Sequence, residues 1–341
     1  MKLILFTLHG YLELFKKRGQ KTLFEHAKKD NFELFMEKGQ WGYLLFDKTI
    51  EKSYFKFLIS DTSFPGYAFL RALKYSIPFK ENEIFFLCKF VSTFENKIIE
   101  TNVNLNFKEK EKLIEEIKKE NEKIEFYVYE KDIILKISED LPFLENNFPN
   151  KIRNKNLNEI KFKNERFEKV NKIMENSLKI LNFHPINKIR IDLNEISANF
   201  LYLYGMGKFS EKIVFSERIG RDTFYFSNSE IMEGLRRFFG FEKIESILNS
   251  KNQSFYWFDF TLNPNETPSI WVKNFETISK DILKQLIYEE NARFLFIFDP
   301  FMDENYEYEK TFSFFLAVNF DKKPKRKYKN PPALFNLFLT K

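Results

Sequence analysis

Three short stretches of this 341-residue chain could carry chemistry. The apolar run LILFTL ends in His9-Gly10, which puts an imidazole at the end of an expected strand, able to ligate a metal or to hydrogen-bond as part of the structure. RFLFIFDP ends in Asp299, also at the C-terminal end of an expected strand, the edge on which α/β proteins build their sites, although a capping or turn role is the plainer reading. NFLYLYGMGKF, residues 199–209, runs from an apolar segment into Gly205-Met206-Gly207 and predicts a strand that breaks into a glycine turn. Such a turn is either bare structure or a place where backbone N–H groups meet an anion.

The rest of the inventory is narrow. The chain has 3 histidines, His9, His26 and His184, and 1 cysteine. Cys88 excludes an internal disulfide and fits a reducing compartment as a buried thiol. His184-Pro185 reads as a helix boundary. The run KKPKRKYK, residues 322–329, is a solvated basic loop or a patch for polyanions. Phe reaches 44 residues while Gly stops at 10, so the core is filled with rings and few positions are free to cradle phosphate. A net charge of +6 over this length is too dilute to imply nucleic acid by itself. Hydrophobic residues at 43% and charged residues at 30% exclude wholesale disorder. No apolar run approaches the ~20 residues of a membrane span. The N-terminus reads as a core strand rather than a signal peptide, so a cytoplasmic protein is expected.

The elements that must position these residues alternate. An apolar strand opens the chain. Two short helices over residues 22–39 follow, with Gly39 as a C-cap, then the strand WGYLLF and a helix from Pro65-Gly66. From Pro78 to about Asn164 the character changes to two hairpins, turning at Glu95-Asn96 and Glu130-Lys131, around a charged helix. Alternation then resumes, with helices expected over SEIMEGLRRFFG and FETISKDILKQLIYEENA and strands at DTFYFS, QSFYWFDFTL and RFLFIFDP. The fold class expected is α/β: a mostly parallel sheet flanked by helices, formed by residues 1–77 and 165–341, with an inserted smaller α+β domain at 78–164.

Several stretches together resemble one family. Residues 19–45 are similar to GKTPLEAA-TPNLDxLAxEGxxGLL, residues 72–93 to ALGAGIxLxPGDVAFRCNFAT, and residues 170–187 to a helix ending in HPVN. ANFLYLYGMG at 198–207 resembles ANxxLLRGAG, and residues 229–241 resemble DLIKGIxRLxGM. In this order they are identified as those of the archaeal-type 2,3-bisphosphoglycerate-independent phosphoglycerate mutases, within the alkaline phosphatase superfamily. The resemblance implies an alkaline-phosphatase-like core with an insertion. It also implies isomerisation of 3- and 2-phosphoglycerate through a phosphoserine, with two divalent metal ions held by Asp and His.

The residues at the matching places depart from that chemistry. Where the family's first strand ends in Asp-Gly, this chain has His9-Gly10. PGSDxAHL falls on residues 46–61, where Ser53 lies close but the flanking Gly and Asp are absent and nothing evident activates it. HVKxTDxxGHxGD falls on residues 258–271, leaving Asp259 and Glu266. TGDH keeps Asp299 but has Pro300 in place of His, and HSxxPVP falls on residues 309–318 with no His. RCNFAT becomes LCKFVST, losing Arg and adding Lys89. RGAG becomes Tyr204-Gly205-Met206-Gly207, losing another bidentate anion partner.

The leading expectation is therefore a homologue that keeps the fold, has lost the metal chemistry and acts as a binding or scaffold protein. Its partner is a phosphorylated small molecule, through Lys89, Gly205 and Gly207, or another protein; no cofactor and no membrane are expected. Two alternatives stand beside it. One is an active mutase or phosphohydrolase with Mn²⁺ or another divalent ion in a site rebuilt from His9, Asp259, Glu266 and Asp299, with His9 or Ser53 catalytic. The other is a polyanion or nucleic-acid binder using the basic loop.

Overall fold

The computed structural model describes residues 1–18, 21–120, 124–245, 253–286, 288–289, 291–300, 308–320, 324–329 and 331–339. Their contacts gather into two units, one formed by Met1–Phe64, Lys212–Glu304 and Tyr308–Lys341 and the other by Pro65–Glu211. The second unit is thus wider than the 78–164 expected. A helix before that range packs against its sheet and the glycine-containing strand after it pairs into it, which local composition does not reveal.

The first unit begins with β1 (Lys2–His9), buried along its whole length. A helical turn at Leu23–His26 carries a capping box between Thr22 and Glu25. α1 (Asp30–Lys38) ends at Gly39, whose backbone is extended rather than left-handed. Packing favours glycine there, since a Cβ would lie 2.8 Å from the Phe35 carbonyl oxygen as well as against Leu316 and Val318. β2 (Gln40–Lys48) and α2 (Ile50–Leu58), N-capped by Thr49, follow.

In the second unit α3 (Tyr67–Lys74) leads to β3 (Glu83–Phe94) and its hairpin partner β4 (Lys97–Glu100), with Glu95 and Asn96 both at positive φ in the turn. α4 (Phe107–Lys119) is followed by the hairpin β5 (Ile124–Val128) and β6 (Ile133–Ser138). α5 (Glu168–Leu181) and α6 (Pro185–Asp192) then lead to β7 (Phe200–Lys208). β3 is the axis of this antiparallel sheet, with β6 on one side and β7 on the other.

β7 does not break at Gly205-Met206-Gly207, contrary to the turn expected. Phe85 pairs with Gly207 and Leu87 with Tyr204, and Gly205, at φ +59°, takes up the extra residue as a bulge. Gly207 is glycine for a different reason. A Cβ there would lie 2.1 Å from the Phe69 backbone nitrogen, so α3 crosses β7 backbone against backbone.

The chain returns to the first unit as β8 (Asp222–Ser227), α7 (Glu233–Phe238), β9 (Glu242–Lys243) and β10 (Ser254–Thr261). α8 (Pro268–Thr277) starts ahead of the helix expected from Phe275, with Pro268 in its first turn. β11 (Ala292–Asp299), β12 (Tyr308–Val318), β13 (Lys327–Tyr328) and α9 (Pro331–Leu339) complete it. The eight-stranded sheet has the order β9-β8-β10-β1-β11-β12-β2-β13 and is parallel except for β12.

Alternation along the central strands divides their side chains between two faces. Ile4, Phe6 and Leu8 join one core with Phe32, Phe35, Phe258, Phe275 and Phe296. Phe6 stacks on Phe258 at 4.8 Å and on Phe296 at 4.7 Å, its partners in register on either side. Ladders of this kind contribute about 0.5–1.5 kcal/mol per pair beyond area burial, and they use the surplus of phenylalanine directly. The other face carries the polar residues. Among the described residues no helix is long and apolar enough to cross a membrane.

Candidate functional site

Thr7 and His9 point to the same face of β1 because they are two residues apart. Parallel register sets Thr7 beside Asp259 of β10 and His9 beside Asp299 of β11, while Ser227 of β8 lies beside Asp259 on its other side. Three strands thus bring one imidazole and two carboxylates together at the C-terminal edge of the sheet, where they are almost completely buried: His9 is 2% exposed, Asp259 and Asp299 0%.

His9 Nε2 lies 2.8 Å from Asp259 Oδ1 and Nδ1 lies 2.9 Å from Asp299 Oδ2. An ionised carboxylate only accepts, so both ring nitrogens must donate, and the ring is an imidazolium. Burial opposes that charge, but Asp259 and then Asp299 outweigh it and hold the His9 pKa up at about 9, against an ordinary 6.5.

Hydroxyl and indole groups close the cluster. Asp259 Oδ1 accepts from Thr7 at 2.6 Å, and Thr7 accepts from the Trp257 indole at 2.9 Å. Asp259 Oδ2 accepts from Tyr225 at 2.8 Å and lies 3.1 Å from Ser227 Oγ, which shares its proton with the Ser229 carbonyl at 2.9 Å. Asp299 accepts from Tyr54 of α2 and Ser313 of β12. Burial, with Asp299 beside Tyr54 and Asp259 beside Tyr225, pushes both phenols well above their ordinary range, so they remain donors.

The residues expected to matter are thus divided. His9, Asp259 and Asp299 converge. Ser53 lies near the start of α2, buried, and its neighbour Tyr54 is the residue that reaches Asp299. Glu266 stands in the turn before α8, its Oε2 buried without a hydrogen bond; burial, and after it Glu266, raises the Tyr11 pKa, and no hydrogen bond among the described residues joins Glu266 to the cluster. Lys89 lies on β3 and lines a cavity of about 370 Å³ in the second unit with Lys110, Lys131, Asn102 and Asn104. Gly205 donates its N–H to Asn146 Oδ1 at 3.2 Å and Gly207 is paired within the sheet. Cys88 is buried, and burial raises its pKa above the ordinary thiol range. Of the basic run, 322–323 lie outside the described residues.

Sequence reasoning missed Thr7, Tyr54, Tyr225, Ser227 and Ser313. A signal existed. Thr7, Asp259 and Ser313 interrupt runs that are otherwise apolar on both faces, and a buried polar group needs a partner.

A pair of divalent ions, which the resemblance implies, does not fit this donor set. Both imidazole nitrogens are engaged by carboxylates, and all four carboxylate oxygens already accept at least one hydrogen bond. Among the described residues no group of three or more His, Cys, Asp or Glu is arranged to hold a metal ion.

Comparison with known proteins agrees with the resemblance. The family profile described as 2,3-bisphosphoglycerate-independent phosphoglycerate mutase matches residues 60–187, a range that excludes His9, Asp259 and Asp299. The chain is 27% identical over 260 residues to 2,3-bisphosphoglycerate-independent phosphoglycerate mutase 2 of Methanocaldococcus jannaschii, an alignment covering 67% of this chain and 61% of that protein. Among solved structures, the cofactor-independent phosphoglycerate mutase of Thermoplasma acidophilum superposes with a TM-score of 0.57 at 14% identity, over 99% of this chain and 98% of that one. A protein of Pyrococcus horikoshii superposes with a TM-score of 0.62 at 13% identity, over 100% of this chain and 98% of its own. These two likenesses speak for the fold alone, a mixed α/β architecture with a large, mostly parallel sheet flanked by helices. Sequence profile, relative and fold thus agree on what the chain is similar to, the 2,3-bisphosphoglycerate-independent phosphoglycerate mutases.

Proposed function

We propose that this protein is catalytically impaired at the sheet edge and serves as a cytoplasmic binding protein for a small phosphorylated anion. The observation that carries the reading is the closed Asp259–His9–Asp299 cluster: a donated proton and a ring cation stand between the carboxylates, and the surrounding hydroxyls take up the remaining lone pairs. The anion is assigned to the second unit, where Lys89, Lys110 and Lys131 line one cavity with two asparagines. Burial, and then the charge of Lys89, lower the Lys110 pKa, as expected of cations crowded together without enough counter-charge. A single free, buried thiol fits the cytoplasmic setting.

One specific observation favours a second reading, an active enzyme. His9, Asp259 and Asp299 do converge, and one imidazolium against two carboxylates leaves a formal negative charge that a metal ion could satisfy if the ring moved away.

The deciding experiment is calorimetric titration of the metal-stripped protein with Mn²⁺ and with 3-phosphoglycerate, alongside an assay for phosphoglycerate interconversion. The proposal expects no Mn²⁺ heat at millimolar concentration, no interconversion, and 3-phosphoglycerate binding that weakens about tenfold in Lys89→Ala. Mn²⁺ binding at a ratio near one or two with turnover would establish the second reading instead. Failure to bind 3-phosphoglycerate, inorganic phosphate or phosphoenolpyruvate would remove the proposed ligand class.

A further inference from the structure

A cavity of the first unit lies away from the His9 cluster, on the phenylalanine-lined face of the sheet. It has a volume of about 860 Å³ and is lined by Phe15, Gln40, Trp41, Tyr43, Phe314 and Arg326, with glycines and Pro324 between them. That volume is within the range of small-molecule sites, ~300–1,000 Å³, which combine aromatic walls with a few placed polar groups. We infer that it is a binding site for a nucleoside phosphate, with the base held by the rings and the phosphate by Arg326.

The rings are suitably disposed. Trp41 and Tyr43 are two apart on β2 and project to one face, opposite Leu316 and Phe314 in the register with β12. Their spacing along the strand is therefore ~6.6 Å, about twice the ~3.4 Å separation of stacked bases. Each ring is held by aromatic neighbours: Trp41 by Phe15 at 5.9 Å and Phe298 at 5.7 Å, Tyr43 by Phe314 at 6.0 Å. Tyr43 is nevertheless 46% exposed, which leaves ring surface available to a ligand. Aromatic stacking of bases is tolerant of sequence and contributes about 1–3 kcal/mol per base.

Charge selects the rest of the ligand. Among the described residues Arg326 is the one charged residue lining the cavity, and no carboxylate of theirs lines it. Among the described residues no acidic side chain pairs with Arg326, and Lys325, Lys327 and Lys329 flank it in sequence. Its backbone is fixed: the Tyr43 N–H donates to the Arg326 carbonyl at 2.9 Å, and the Lys325 N–H donates to the Tyr328 hydroxyl at 3.0 Å. An exposed guanidinium at the rim of an aromatic cavity suits a phosphate, whose oxygens it can meet in pairs. Gln40 supplies an amide able to donate to or accept from a base edge.

The test is calorimetric titration with AMP, adenosine, inorganic phosphate and a single-stranded 12-mer, on the wild type and on Tyr43→Ala and Arg326→Gln, two exposed positions. Saturable AMP binding is expected, with adenosine and phosphate each weaker by about tenfold or more and both variants losing a similar factor at an unchanged thermal midpoint. If either variant unfolds, Tyr43→Phe should keep AMP binding and Arg326→Lys should weaken it. No saturable binding of AMP, GMP or UMP at millimolar concentration, or AMP binding that both variants leave unmoved, would overturn the inference. Tight binding of the 12-mer without AMP binding would also overturn it, in favour of a nucleic-acid platform.

Discussion

Asp299 lies directly across the parallel register from His9, and its Oδ2 is 2.9 Å from His9 Nδ1 while Asp259 engages the other ring nitrogen from the opposite strand. The imidazolium therefore joins three neighbouring strands at the sheet edge, and its charge is what allows two buried carboxylates to be this close.

Removing the ring should expose that dependence. His9→Gln leaves Asp259 and Asp299 buried beside each other with no cation between them, so a loss of about 3–5 kcal/mol is expected in urea-induced unfolding. Tyr54→Phe removes one donor to Asp299 and should cost about 1.5–3 kcal/mol. A His9→Gln loss below about 1 kcal/mol would mean that the ring does not hold the carboxylates together.

The same charge sets a pH window. The folded His9 pKa, near 9, is above the unfolded value of 6.5. Its contribution is fully present below about pH 6.5 and is lost as pH rises through 9. A shift of that size corresponds to about 3 kcal/mol. Unfolding midpoints measured from pH 6 to 9.5 should fall steadily in the wild type, and the difference from His9→Gln should shrink over the same range. Parallel curves for the two proteins would contradict the assignment.

Gly207→Ala tests the crossing of α3 over β7. Its Cβ would meet the Phe69 backbone at 2.1 Å, and backbone cannot rotate away, so a loss above about 3 kcal/mol or failure to fold is expected. Gly220, where a Cβ meets nothing within 4 Å despite φ +64°, should tolerate alanine at about 1 kcal/mol. Similar thermal midpoints for the two variants would show that the close approach does not limit stability.

Asn187 and Asn199, both within the family-like segments, are expected to be structural. Asn187 donates to the Leu181 and Ala198 carbonyls at 2.8 and 3.1 Å and accepts from the Ala198 N–H at 2.7 Å. Asn199 accepts from the Thr93 N–H at 2.7 Å and donates to the Thr93 carbonyl at 3.0 Å. Alanine at either position leaves buried backbone groups unpaired and should cost about 2–4 kcal/mol, with anion affinity unchanged where the protein still folds. Lost affinity in a folded variant would instead assign the asparagine to the ligand.

By itself the sequence determined where strands and helices lie, because runs such as LILFTL and FYWFDF are buried on both faces and the Asn106–Glu109 cap or the Glu95-Asn96 turn acts locally. It also determined that the donors are few, since 3 histidines cannot supply a histidine-rich site. It misjudged Gly205-Met206-Gly207, because a bulge and a backbone crossing both call for glycine, as a turn does, and only the partner strand and helix distinguish them. Only the tertiary structure decided what His9 does. Its partners lie 250 and 290 residues away, and which of them it meets depends on strand order and on a register in which a shift of one residue would turn Asp259 to the opposite face.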